Sequence, residues 1–432
     1  MALTIGPEEV RQVLGDSEAE WQVKRMSAAT QLQAIELEHG LGYVPGPGAP
    51  TLEQAELNAG RQARSAAASA DWVGAPTKVD WRSRNGGNYV TAIRDQAGCG
   101  SCVAFGVVAA VESMVRIGAS NPNLKPNLSE AQLFFCYGPQ TYAGTCPEGG
   151  WWPDVALDAM RSGVTDESRY PYSDNDQPCS VPSDWRNKVT RITGWQLLTS
   201  PAAIKAHLAA VGPLVGCFTV YEDFYFYGGG VYKHVTGDMV SGHCICVVGY
   251  DEGQRCWIAK NSWGTSWGDN GFFRIAYGDC GIDDMMWAVD QAVVTTLKPW
   301  PTLKRTAKGD AVRSLQYLLR ARGKTTSVDG SFGAGTEKAV RAHQKARNLT
   351  VDGVVGARTW GSLVVTARRG SRGEAVKGVQ AQLKVRGVPM VVDGAFGPAT
   401  QRAVRDFQTA VGAEADGVVG AFSWQALVSG MR

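Results

Sequence analysis

From Val312 onward the sequence repeats itself at a constant offset of 64 residues, which limits what the last third of the chain can become. Val312, Gln316 and Leu319 recur as Val376, Gln380 and Leu383. Asp329-Gly330-Ser331-Phe332-Gly333 recurs as Asp393-Gly394-Ala395-Phe396-Gly397, and Asp352 to Gly356 with Trp360 recurs as Asp416 to Gly420 with Trp424. An offset unbroken over about fifty positions marks a tandem duplication, so each unit is one small folding element stacked beside its copy. Apolar residues at helical spacing, separated by two Asp-Gly turns, predict helix, turn, helix, turn and short helix in each unit. Asp accepts bonds from the turn and Gly tolerates positive φ, so the repeated residues read first as scaffold, and Trp360 and Trp424 as core.

The remainder of the chain differs in charge and in cysteine content. The whole carries 43 Lys+Arg against 41 Asp+Glu, but residues 303–432 hold 21 basic and 9 acidic side chains, a net +12 that leaves −10 for the first 302. Parts of opposite charge face different partners, and a basic tail suits an anionic polymer. Lys298-Pro299-Trp300-Pro301-Thr302 reads as a linker between the two parts. All ten cysteines lie between Cys99 and Cys280. There is no run of about 18 apolar residues, so no membrane span is expected. The opening residues lack the basic stretch and apolar run of an ordinary secretory signal.

Cys99-Gly100-Ser101-Cys102 places Cys102 where a helix can begin after a Gly-Ser turn, with His243 and Asn261 following 141 and 159 residues later. A thiol needs a base to act as a nucleophile near neutral pH, and the base needs an orienting partner. These three residues supply the three roles, and Gln96 stands six residues before the cysteine. Five separated motifs occur in one order: PTKVDWR from Pro76, RDQAGCGSCVAF from Arg94, LSEAQLFFC from Leu128, SGHCICVVGY from Ser241 and AKNSWGTSWGDNGFFRI from Ala259. Over roughly half its length the chain resembles the papain family of cysteine peptidases. The repeats resemble the small three-helix peptidoglycan-binding domain.

The resemblance implies an α+β fold: a two-lobed papain-like catalytic domain over residues 75–299, a helical prosegment over 1–74, and two small three-helix domains over 303–364 and 365–432. Glu8, Val10, Val13 and Leu14, and later Trp21 through Leu37, predict amphipathic helices in the prosegment, which would lie in the active-site cleft until removed. Cys102 would be a thiolate beside protonated His243, Asn261 would orient the imidazole, and Gln96 with the Cys102 backbone N–H would hold the oxyanion. Trp263 and Trp267 would cover the Asn–His pair. Gly149 and Gly150, followed by Trp151 and Trp152, would line the substrate backbone. Cys217, Cys244 and Met285 would line an uncharged pocket that prefers an apolar second residue before the cut. Two positions depart from the family pattern: Val103 replaces an aromatic residue after the nucleophile, and Gly242 replaces an Asp or Asn before the histidine.

The resemblance also implies disulfides Cys99–Cys146 and Cys136–Cys179, which fit an oxidising compartment. With Cys102 free, nine cysteines remain, so at least one more is unpaired in a monomer. Cys280 lacks an obvious partner. Cys244, Cys246 and Cys256 read as buried thiols rather than as a zinc site. The other four histidines, His39, His207, His234 and His343, take an ordinary structural reading.

The expected activity is therefore that of a cysteine endopeptidase acting on protein or peptide, with no cofactor and no metal. Its tail would bind peptidoglycan or another anionic wall polymer through residues 303–432. A monomer is expected, secreted or wall-associated, with no membrane or nucleic-acid partner. Two other readings compete: a hydrolase of peptidoglycan stem peptides, and a non-enzymatic wall-binding protein on an inactive peptidase scaffold.

Overall fold

The computed structural model describes residues 3–24, 41–47, 49–54, 76–140, 145–147, 149–182, 185–413 and 415–431. The chain divides into two compact units, residues 1–182 with 190–293, and residues 183–189 with 294–432.

In the first unit, helix α1 (Pro7–Gly15) starts with Pro at its first position and places Glu8 and Glu9 at the positive end of its dipole. Strand β1 (Gln22–Val23) follows, so the helix predicted from Trp21 is not formed there. Its backbone bonds go to another strand instead, and the Trp21 indole is buried beside Tyr232, with Nε1 donating to the Lys233 carbonyl at 2.9 Å. The rest of that predicted helix and the Ala-rich stretch before Asp71 lie outside the described residues.

After β2 (Lys78–Asp80) comes helix α2 (Cys102–Gly118), buried from Cys102 through Val115. It has no polar face because it is surrounded, which its run of Val and Ala permits. Helices α3 (Pro153–Ser162) and α4 (Pro201–Ala210) come among further strands, which include β3 (Trp195–Leu198), β4 (Leu214–Tyr221), β5 (Tyr227–Gly229), β6 (Met239–Asp251), β7 (Cys256–Lys260), β8 (Phe272–Ala276) and β9 (Met286–Val289). Seven of these strands form one sheet in the order β3-β9-β4-β6-β7-β8, with β2 added to β6, while β5 pairs with β1. Strand β6 carries the apolar, β-branched run Cys244 to Val248 and is buried from Gly242 to Tyr250. At Gly106 helix α2 comes so close to β6 that a Cβ would stand 3.2 Å from the Ile245 backbone. The mixed helix and sheet content matches the α+β expectation.

Cys99–Cys146 and Cys136–Cys179 are disulfides. A third joins Cys217 to Cys244, directly opposite each other on β4 and β6. This corrects the reading of Cys244 as a buried thiol and settles the state of Cys217: cross-strand partners stand close enough to bond, which a sequence separation of 27 does not reveal. Among the described residues Cys102, Cys246 and Cys256 stay free and buried, and the buried Cys280 thiol donates to Asp279 Oδ1 at 3.1 Å.

The second unit builds each repeat as predicted: α5 (Asp310–Ala321), α6 (Ala334–Ala346) and α7 (Ala357–Leu363), then α8 (Glu374–Val385), α9 (Pro398–Ala410) and α10 (Ala421–Val428). One hydrogen-bonded knot accounts for the Asp-Gly turns. Gln316 Nε2 donates to Asp329 Oδ1 at 2.8 Å, while its Oε1 accepts the Gly330 N–H at 2.8 Å. Gln344 with Asp352, Gln380 with Asp393 and Gln408 with Asp416 repeat it. Trp360 and Trp424 are fully buried and donate to Pro301 and Val365 carbonyls. These residues hold the fold together and are not free to hold a ligand.

Candidate active site

Cys102 opens α2 and is wholly buried. Strand β6 supplies His243, and the loop after β7 supplies Asn261. His243 Nε2 and Asn261 Oδ1 are 2.8 Å apart. The same oxygen accepts the Ser262 backbone N–H, which fixes it as the acceptor, so Nε2 carries the proton. Nδ1 is then the basic atom, and it is buried without a hydrogen-bond partner among the described residues. The indole of Trp263 lies 4.8 Å from the imidazole centroid, and Trp267 packs edge-on against Trp263 at 5.1 Å. Together they shut water away from the Asn–His bond.

Gln96 is buried beside this group, its Nε2 donating to the Cys99 carbonyl at 2.9 Å and its Oε1 accepting the Ser262 hydroxyl. Tyr172 ties the turn together, donating to the Gln96 carbonyl at 3.0 Å and meeting Ser101 Oγ at 2.7 Å. Ser262 and Tyr172 were not singled out by sequence. Ser262 stands next to Asn261 in KNSWG, so adjacency was a usable signal; Tyr172 had none. Beneath the site, Lys260 donates to Thr91, which donates to the buried Glu112 at 2.6 Å. Burial raises the Glu112 carboxyl and lowers the Lys260 ammonium, and each charge opposes the other's shift.

The cleft is filled by the protein's own residues 41–44. Gly42 donates its N–H to Cys102 Sγ at 3.3 Å. The Gly42 carbonyl accepts from Gly150 at 3.0 Å and Trp151 at 3.1 Å, Val44 donates to the Trp151 carbonyl at 3.1 Å, and Tyr43 donates to Gly242 at 3.3 Å. Gly149, Gly150 and the Trp151 backbone thus form a wall that binds an extended chain. The Trp151 ring faces away, buried in the core near Phe134, whereas Trp152 lies against Gly46. Gly242 has a physical reason to lack a side chain: a Cβ would stand 2.6 Å from the Tyr43 ring. Val103 is buried. Met285 is half-buried against the core, and the Cys217–Cys244 disulfide lies one residue from His243.

Covering the cleft sets the charges. Burial drives His243 down to about 4, against the lift from Asn261. It also raises the Cys102 thiol, against the pull of backbone N–H groups of Cys244, Gly42, Tyr43 and Val103. The covered site therefore holds a neutral thiol and a neutral imidazole. The thiolate–imidazolium pair expected from sequence needs water or substrate in place of residues 41–44.

Residues 75–289 match the model described as "Papain family cysteine protease", and residues 308–363 and 372–427 match the one described as "Putative peptidoglycan binding domain". The chain is 35% identical over 234 residues to "Cathepsin B-like CP3" of Giardia intestinalis, covering 49% of this chain and 73% of that one. It is 37% identical over 221 residues to mouse "Pro-cathepsin H", covering 48% and 62%. In fold it is similar to "proCathepsin B S9 from Trypanosoma congolense", with TM-score 0.51, 21% identity and coverage of 66% of this chain and 97% of that.

The chain belongs to the papain family of cysteine proteases. It joins a cysteine peptidase to two peptidoglycan-binding domains. Three disulfides and those domains fit an extracellular or wall location, and no described helix is long and apolar enough to cross a membrane.

Proposed function

We propose that Cys102, His243, Asn261 and Gln96 form the apparatus of a cysteine endopeptidase that residues 1–74 keep latent and residues 303–432 tether to peptidoglycan or another anionic wall polymer. The observation that carries this reading is the buried His243–Asn261 bond of 2.8 Å, which leaves Nδ1 as the basic atom on a strand packed against the helix that Cys102 opens. When the cleft opens, the Cys102 proton moves to His243 Nδ1 and the sulfur attacks a peptide carbonyl carbon. The oxygen takes the negative charge and is held by the Cys102 backbone N–H and the Gln96 amide. The C–N bond breaks as Nδ1–H protonates the leaving amine. Water, deprotonated by Nδ1, then cleaves the thioester and returns the thiol.

The disulfide next to His243, the half-buried Met285 and the absence of charge among these residues support an apolar second residue before the cut. Residues 41–44 support latency, since they occupy the wall a substrate would use.

The test is hydrolysis of short fluorogenic peptides with an apolar second residue by the intact chain, by a chain trimmed of residues 1–74, and by trimmed Cys102→Ala. Turnover in the trimmed enzyme, lost in the variant, is expected. If the trimmed enzyme cuts only purified wall stem peptides, the stem-peptide reading replaces this one. If it cuts neither, the peptidase scaffold is inactive.

A further inference from the structure

The offset of 64 aligns the two repeats residue by residue, so each difference between them is a comparison made inside one chain. Arg322 and Arg386 keep the same task. Arg322 Nε donates to the Leu363 carbonyl at 3.2 Å, and Arg386 Nε donates to the Met431 carbonyl at 3.0 Å. Each guanidinium meets carbonyls at the end of its unit's last short helix, where the dipole is negative.

Around this shared arginine three positions diverge together. In the second repeat they are Val388, Phe407 and Val411. Phe407 and Val411 belong to the buried core, and the Arg386 guanidinium lies 5.1 Å over the Phe407 ring. In the first repeat the same positions hold Lys324, His343 and Arg347. His343 remains buried at 2% exposure, and Ser362 stands where the second repeat has Ala426. The Ser362 hydroxyl donates to the Thr359 carbonyl at 2.8 Å, so His343 Nε2–H donates to Ser362 Oγ at 2.9 Å.

An apolar cluster has thus become a buried histidine with cations in place of its apolar neighbours. Arg347, Arg322 and Lys324 all repel a proton on His343, and Arg347 also bears on Arg322. Among the described residues no carboxylate pairs with Arg322, Lys324 or Arg347. The fold does not require this arrangement, because the second repeat builds the same helices with Val, Phe and Val. Like charges held together destabilise the unit unless something neutralises them.

We propose that the first repeat carries an oxyanion-binding site at Lys324 and Arg347, beside His343, which takes a phosphate or carboxylate group of a wall polymer, and that the second repeat carries none. The site rests on, and sharpens, the reading of the tail as a tether. Lys324 and Arg347 supply the charge, Arg322 is already committed to helix carbonyls, and the His343 ring reports on occupancy.

The test uses the full-length chain carrying Cys102→Ala, isotope-labelled at the histidine rings and titrated separately with inorganic phosphate and with acetate. Saturable movement of the His343 ring signals is expected with at least one anion, while His207 stays still. Lys324→Val/Arg347→Val should weaken that binding at least about tenfold. These are the residues the second repeat carries at the same positions, so an unchanged melting temperature is expected. Retention of both proteins on sacculi, with and without their phosphate polymers stripped, then tells the phosphate source from the carboxylate source. No saturable movement with either anion overturns the proposal. Equal sacculus retention of the variant and its parent also overturns it and leaves the tether standing. If the parent itself is not retained, the tether falls, and the His343 titration still decides the anion site.

Discussion

Gly42 offers the sharpest test of latency. A Cβ built on it would lie 1.8 Å from the Gly100 carbonyl oxygen and 2.5 Å from its carbon, backbone atoms of the turn into α2 that cannot swing aside. From the other wall, a Cβ on Gly149 would lie 2.4 Å from the Gly42 Cα, so the segment has no room to retreat sideways. In Gly42→Ala, residues 41–44 must therefore lift. That removes the Gly42 bond to Cys102, the two bonds its carbonyl accepts, and those donated by Tyr43 and Val44. At roughly 0.5–1.5 kcal/mol net per bond, and with the sulfur bond at the weak end, the covered state loses about 3 kcal/mol or more. At 1.4 kcal/mol per tenfold, the open fraction rises at least about 100-fold. The assay is peptide hydrolysis by the untrimmed chain, alongside its melting temperature. Gly6→Ala, where a Cβ meets nothing within 4 Å, should remain as latent as the parent. Gly242→Ala creates the same clash from the enzyme side, 2.7 Å from the Tyr43 carbonyl oxygen, and should also open the cleft. If Gly42→Ala stays as latent as the parent with an unchanged melting temperature, the segment does not hold the cleft shut.

Opening should be nearly independent of pH from neutral down to about 4. Burial holds His243 down at about 4 and the Cys102 thiol up, so the covered pair keeps its one proton on sulfur, while the open pair keeps one on His243 Nδ1. With equal proton counts in both states, thiol-reagent labelling of Cys102 should show no acid trend; a rise of about tenfold per pH unit toward acid contradicts it. Replacing both Cys217 and Cys244 with Ala should cost about 3–4 kcal/mol for a cross-link with a separation of 27 residues, and lower kcat through the neighbouring His243. An unchanged melting temperature and kcat would show that the bond constrains nothing. Gln380→Ala strips Asp393 and Gly394 of their buried partner and should destabilise the second unit by about 2–4 kcal/mol, seen by calorimetry, while soluble-peptide hydrolysis is unaffected.

Much of this protein was legible in local chemistry. The offset of 64 named the duplicated units, and the Asp-Gly turns named their loops, because a turn that needs positive φ and a side-chain acceptor is written in two or three adjacent residues. The apolar, β-branched run from Cys244 to Val248 has the composition of the buried strand it forms. The residues at Cys102, His243 and Asn261 were visible by type and order, though nothing local states that a 2.8 Å bond joins the last two. Trp21 shows the limit: a helical pattern gave way to an extended strand because the backbone partners lay on β5, more than 200 residues away.

What only the tertiary structure decided follows from the same physics. Cys217 and Cys244 bond because β4 and β6 align them, and strand register is a property of the whole sheet. Gly42 blocks Cys102 because two distant glycine-bearing turns leave a slot one backbone wide. The protonation of the site depends on that slot being filled, since charge in a buried pocket is set by what excludes water, and no residue's own identity carries that information. The sequence by itself determined which elements and reactive groups the chain possesses. Their pairing, their burial and the cover over the thiol came from contacts between residues far apart in the chain.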